Sequence, residues 1–74
     1  MRRDFDHVRQ TLAHNVRTLR NERGLSQESL ALSADVDRTY VSQIERAIGN
    51  PSLLVLHKLA SILDVDAIDL LAPR

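Results

Sequence analysis

The sequence predicts an all-α fold of five short helices around one core, and three observations predict it. Aliphatic residues are plentiful while aromatics are almost absent, with no Trp, one Tyr and one Phe in 74 residues, a balance that favours a small helical bundle over a sandwich or barrel. Val8, Leu12, Val16 and Leu19 recur at spacings of four, four and three, the stripe of an amphipathic helix. After Gly24 one pattern then occurs four times: an apolar residue, a capping residue, three further residues and a second apolar residue.

The first helix is expected over about residues 6–23, closed by Gly24, with Arg20 and Arg23 in the last turn where cations suit the helix dipole. The four repeats of the start pattern are Leu25-Ser26 with Leu30, Val36-Asp37 with Val41, Pro51-Ser52 with Leu56, and Val65-Asp66 with Leu70. In each, the Ser or Asp side chain accepts from a free backbone N–H while the flanking apolar pair closes a hydrophobic staple. These starts place helices over about residues 27–33, 38–47, 53–63 and 67–71. The connectors are too short to separate domains, and no linker, repeat or low-complexity segment interrupts the chain.

Composition narrows the function. With no Cys, disulfides, thiolate zinc sites and cysteine nucleophiles are excluded. The longest apolar run, Leu53 to Leu56, is far too short to cross a bilayer, and Arg2-Arg3 lacks the apolar region of an export signal. The chain reads as cytoplasmic, with no membrane partner. His7 and His14 lie seven apart on the first helix, where metal ligands on one helix want a spacing of three or four. His57 reads as a surface or interface residue. No glycine-rich phosphate loop or nucleophile motif is present, so no enzyme activity, cofactor, metal or small-molecule ligand is expected.

The net charge is zero, which by itself argues weakly against nucleic acid. The layout argues back, because eight of the ten cationic residues precede position 50 while Asp64, Asp66 and Asp69 face Lys58 and Arg74 near the C-terminus. Only the local field matters for docking.

The third helix, in the stretch VDRTYVSQIER, carries the functional signal. Stepping about 100° per residue, Val41 and Ile44 set its apolar direction. Thr39, Ser42, Gln43 and Arg46 lie opposite, with Arg38 and Tyr40 on the flanks. A solvated helix is usually covered with Glu and Lys; hydroxyls, an amide and guanidiniums suit base edges and phosphate oxygens instead. The preceding helix, the corner at Ala34-Asp35-Val36 and this helix form two short helices with a tight turn, the small Ala31 allowing close packing against Val41 and Ile44. That is a helix-turn-helix over about residues 26–47, whose second helix enters the DNA major groove.

On these residues the stretch LSQESLALSADVDRTYVSQIERAIGNPSLLVLHKLASILDV resembles the Cro and phage-repressor, or XRE-type, helix-turn-helix domains, and DRTYVSQIER is most similar to the controller proteins of restriction-modification systems. The resemblance runs from about residue 16 to residue 71. It implies a five-helix, lambda-repressor-like fold and transcriptional control by a homodimer bound to double-stranded DNA. It implies base readout by Arg38, Thr39, Ser42 and Gln43, backbone contacts by Gln27, Tyr40 and Arg46, and an ion pair between Arg20 and Glu45. The helical wheel agrees in placing Glu45 on the border between core and groove faces.

Three positions depart from the family pattern, because Asp35, Ala47 and Asp64 stand where Gly is usual. Asp tolerates left-handed backbone. Ala47 would cost about 1 kcal/mol there, which leaves two endings open: a left-handed Ala47, or a helix that runs on to Ile48 and stops at Gly49.

The C-terminal third, about residues 52–72, is expected to dimerise. Leu53, Leu56, Leu59, Ala60 and Leu63 suffice for a core face, so Leu54, Val55 and Ile62 remain, and the last helix adds Ile68 and Leu71. Val55 fits either role. The rival function is an antitoxin-type module that neutralises a partner toxin and also binds its own promoter.

Overall fold

The computed structural model describes residues 3–73. They form five helices, α1 (Phe5–Glu22), α2 (Gln27–Ala34), α3 (Arg38–Glu45), α4 (Leu53–Leu63) and α5 (Ala67–Leu71). No helix among the described residues is long and apolar enough to cross a membrane.

Short polar side chains start the helices. Asp4 accepts from the His7 N–H at 2.8 Å, Ser26 from Ser29 at 2.9 Å, Asp37 from Thr39 at 2.8 Å and Ser52 from Val55 at 3.1 Å, each satisfying a donor that a helix start leaves free. In α5 the Asp69 carboxylate reaches back to the Asp66 N–H at 2.9 Å.

The ends of α1 to α4 share one motif, in which a residue at the cap (α2, α4) or just past it (α1, α3) turns left-handed and its successor donates back to the carbonyl five residues earlier. The left-handed residues are Gly24, Asp35, Ala47 and Asp64, with φ of 67°, 56°, 58° and 59°. The returning N–H groups are those of Leu25, Val36, Ile48 and Val65, each about 3 Å from its acceptor. Leu25, Val36 and Val65 also pack against the core. Each of those three therefore closes one helix and staples the start of the next.

Of the two endings left open for α3, this geometry selects the left-handed Ala47 and excludes the run to Gly49. The helix stops at Glu45, and Ala47 takes the left-handed turn at φ 58°. The physical reason lies one turn further on. Gly49 is buried so close to α3 that a Cβ built there would sit 3.3 Å from the Gln43 Cβ and 3.4 Å from the Ile44 nitrogen. The chain must fold back at residue 47 to make that approach, and tertiary packing outweighs about 1 kcal/mol of backbone strain.

All five helices contribute to one core built on Leu12, Val16, Leu30, Val41, Leu59, Leu63 and Leu70. Burying each leucine contributes about 1.5–3 kcal/mol. α3 packs on α1 and α2, α5 packs on α1 and α4, and α2 packs on α4. The long helix α1 thus touches both the polar helix α3 and the terminal helix α5.

The core expectation for α4 needs one correction. Leu56, Leu59, Ala60 and Leu63 are buried, whereas Leu53 is 75% exposed. It lies about 70° from their mean direction on the helix and in the first turn, at the edge of the packed face.

Candidate nucleic-acid interface

α2 and α3 make the tight corner of a helix-turn-helix. Ala31 and Val41, 2% and 0% exposed, lie at their contact. The corner is held by Asp35 in left-handed conformation and by the Val36 N–H donating to the Ala31 carbonyl at 3.0 Å. Asp37 then caps α3. The Thr39 backbone N–H, helped by the Thr39 hydroxyl, holds its carboxyl below the usual range, so the cap stays ionised at the start of the helix.

Along α3 the structure exposes Arg38, Thr39, Tyr40 and Arg46 and leaves Ser42 and Gln43 half-buried, the last under the approach of Gly49. Among the described residues, the side chains of Arg38, Ser42, Gln43 and Arg46 find no hydrogen-bond or ion-pair partner. The start of α3 therefore presents a guanidinium and a hydroxyl to solvent, with further donors and acceptors one turn along.

The opposite edge of α3 is tied down. Glu45 is only 4% exposed, and Arg20 grips it with two prongs, Nε to Oε2 at 2.7 Å and Nη2 to Oε1 at 2.9 Å. Arg20 also donates Nη1 to the Leu25 carbonyl at 2.8 Å, fixing the loop after α1. The paired prongs are the strong form of the arginine–carboxylate bond. Burial pushes the Glu45 carboxyl up, but the hydrogen bonds from Arg20 and Gln27 and the charges of Arg20 and Arg17 outweigh it and hold the group below its ordinary range. The hydrogen bond to Glu45 likewise raises Arg20, against the opposing effect of burial.

Two members of this cage were not expected from sequence in this role. Gln27, assigned by resemblance to a phosphate contact, is half-buried and donates Nε2 to Glu45 Oε1 at 3.2 Å, so one of its two amide hydrogens faces inward. Arg17 lies 3.9 Å from Glu45 Oε1 through Nε and donates Nη2 to the Glu45 backbone carbonyl, at the C-terminal end of α3. Its signal was present in the sequence, since Arg17 stands three residues before Arg20 and so shares a face of α1 with it.

At the far end of the molecule the residues expected to dimerise divide into two groups. Leu54 and Ile68 are 61% and 72% exposed, and Leu53 joins them. Val55, Ile62 and Leu71 instead pack partly against the chain's own core. Sequence periodicity could not separate these groups, because α4 is apolar nearly all round.

Residues 16–70 match the helix-turn-helix family HTH_3, and the chain belongs to that family. A hypothetical transcription factor of Neisseria meningitidis is 44% identical over 70 residues, covering 95% of this chain and 66% of that protein. The crystal structure of a Neisseria hypothetical transcription factor superposes with a TM-score of 0.86, covering 96% of this chain and 82% of that one. The restriction-modification controller protein C.AhdI of Aeromonas hydrophila is 40% identical, with a TM-score of 0.79 over 84% of this chain and 94% of its own. The N-terminal DNA-binding domain of SinR from Bacillus subtilis is 35% identical, with a TM-score of 0.83 over 88% of this chain and 96% of its own.

Proposed function

We propose that the chain is a sequence-specific DNA-binding transcription regulator that reads duplex DNA as a homodimer in the cytoplasm, in the manner of a restriction-modification controller or phage-type repressor. The observation that carries this reading is the division of α3 into an exposed face of unpaired polar groups and a buried carboxylate held by three side chains. A helix covered for solubility alone has no need of such a rigid anchor, whereas discrimination between bases requires donors held in place before contact.

In this reading Arg38, Thr39, Ser42 and Gln43 face base edges, with Arg38 donating to guanine. Tyr40, Arg46 and the second amide hydrogen of Gln27 meet the backbone. Arg17 and Arg20 carry two positive charges against the single charge of Glu45, which leaves the cage with a surplus that favours phosphate. One α3 spans only a few base pairs. Two copies joined through the exposed Leu54 and Ile68, with Val55, Ile62 and Leu71 behind them, read half-sites about 34–36 Å apart.

The test is selection of bound sequences from a random duplex pool. The proposal expects enrichment of a pseudo-palindrome with half-sites one helical turn apart, and its occurrence upstream of the chain's own reading frame. Recovery of unenriched sequence would overturn it.

A further inference from the structure

Asn15 is fully buried within the apolar stripe of α1, among Leu12, Val16 and Leu19. Its Nδ2 donates to the carbonyls of Ala72 at 2.7 Å and Leu70 at 2.9 Å, with the Asp69 carbonyl a longer third acceptor at 3.3 Å. Arg3 donates to the carbonyl between them, that of Leu71, at 3.0 Å. Four successive carbonyls at the end of α5 are thus met by two side chains from the N-terminal segment. α5 has five residues, far short of what holds a helix on its own, and the carbonyls of its last turn have no partner within it.

The amide is an uneven choice for this place. Its Oδ1 is buried with no donor among the described residues, and a buried polar atom left unpaired is costly. A leucine at position 15 would continue the stripe and remove that unpaired atom, but would leave the Leu70 and Ala72 carbonyls without their donor. What the amide supplies is direction: apolar contact allows α5 to slide or rotate on α1, whereas two short hydrogen bonds to named carbonyls fix its register.

We propose that Asn15 is the positioning residue that sets the angle and separation of the two recognition helices in the dimer, and so the half-site spacing the protein accepts. It acts through α5 and makes no contact with DNA. α1 packs against both α3 and α5; it holds α3 through Arg17 and Arg20 and holds α5 through Asn15, with the tethers at most five residues, or about 7.5 Å, apart along the helix. Ile68, exposed on α5, moves with whatever register Asn15 imposes. This inference rests on the reading of the chain as a dimeric reader of DNA.

The experiment compares the full chain with Asn15→Leu on the selected duplex, on versions with one base pair added or removed between half-sites, and on a single half-site, with dimerisation followed by sedimentation. The expected result is dimerisation at least tenfold weaker and a spacing preference reduced to less than threefold, with single half-site affinity within twofold of the parent. If Asn15→Leu fails to fold, Asn15→Ser is used; it keeps a donor but cannot reach both carbonyls, and the same outcomes apply. A variant that dimerises and discriminates spacing like the parent overturns the inference, as does one that loses half-site affinity in step with dimerisation. A parent protein with no spacing preference would instead sink the dimeric reading itself.

Discussion

Two short helices, α3 and α5, lean on the same long helix and are held in different ways. α3 is anchored by a buried carboxylate inside a cage of two guanidiniums and an amide, and it turns a polar face outward. α5 is anchored by a buried neutral amide, with only an exposed guanidinium, that of Arg3, beside it, and turns Ile68 outward. Under the proposed function the difference follows from what each outward face meets. Recognition of a polyanion demands directional groups held at fixed positions, and an ionic cage beside them adds favourable field. An apolar surface awaiting a second apolar surface needs only shape and register, which a few neutral hydrogen bonds supply without introducing a charge to desolvate.

The largest expected effect breaks the α3 side of this comparison. Glu45→Ala removes the centre of the cage and leaves the mostly buried Arg20 unpaired, which costs about 3 kcal/mol. A fall in melting temperature of more than about 10 °C is expected by circular dichroism, with loss of operator affinity. An unchanged melting temperature would make the cage a surface contact of no structural weight.

The α5 side is broken by Leu54→Glu with Ile68→Glu. Both positions are exposed in the single chain, so the double variant should remain folded while its dimer weakens about 100-fold, the loss of about 2.7 kcal/mol of apolar burial. Sedimentation decides this; a double variant as dimeric as the parent places the interface elsewhere.

A smaller effect sharpens the contrast between charged and neutral anchors. Because folding lowers the Glu45 pKa, its contribution is complete above the unfolded value of about 4.3 and is lost as pH falls through the lower folded value. Urea midpoints of the parent should therefore fall on acidification below about pH 4.5 more steeply than those of Glu45→Gln. Parallel profiles would show that Glu45 titrates alike in both states.

The smallest effect concerns the turn after α3. Ala47→Gly relieves the left-handed strain at φ 58° and should stabilise the protein by about 1 kcal/mol, seen as a rise of about 4–8 °C in melting temperature. A lower melting temperature would mean that the Ala47 methyl packs better than its backbone conformation costs.

Much of the fold could be read in the sequence because its signals are local. Leu25, Val36 and Val65 announce a helix start, and the same residues close the preceding helix, so boundaries were marked twice. Asp35 and Asp64 were legible as left-handed turns because Asp tolerates them. Ala47 was not, since its backbone strain opposes the turn and the compensating contact of Gly49 with Gln43 belongs to tertiary structure. The outward residues of α3 followed from helical periodicity. The inward tethers were harder. Arg17 shares a face of α1 with Arg20, but its bond to the Glu45 carbonyl belongs to tertiary structure, and Asn15 finds its acceptors more than 50 residues away, where no spacing rule within α1 points.

The central claim is that α3 reads bases from a pre-positioned polar face, and Arg38→Ala tests it most directly. Affinities of parent and variant are measured on the selected duplex and on random duplex at the same salt. The account predicts a loss of about 10-fold or more on the selected duplex, the worth of one bidentate guanine contact, and less than about twofold on random DNA. Equal losses on both would contradict it, because Arg38 would then touch only the backbone.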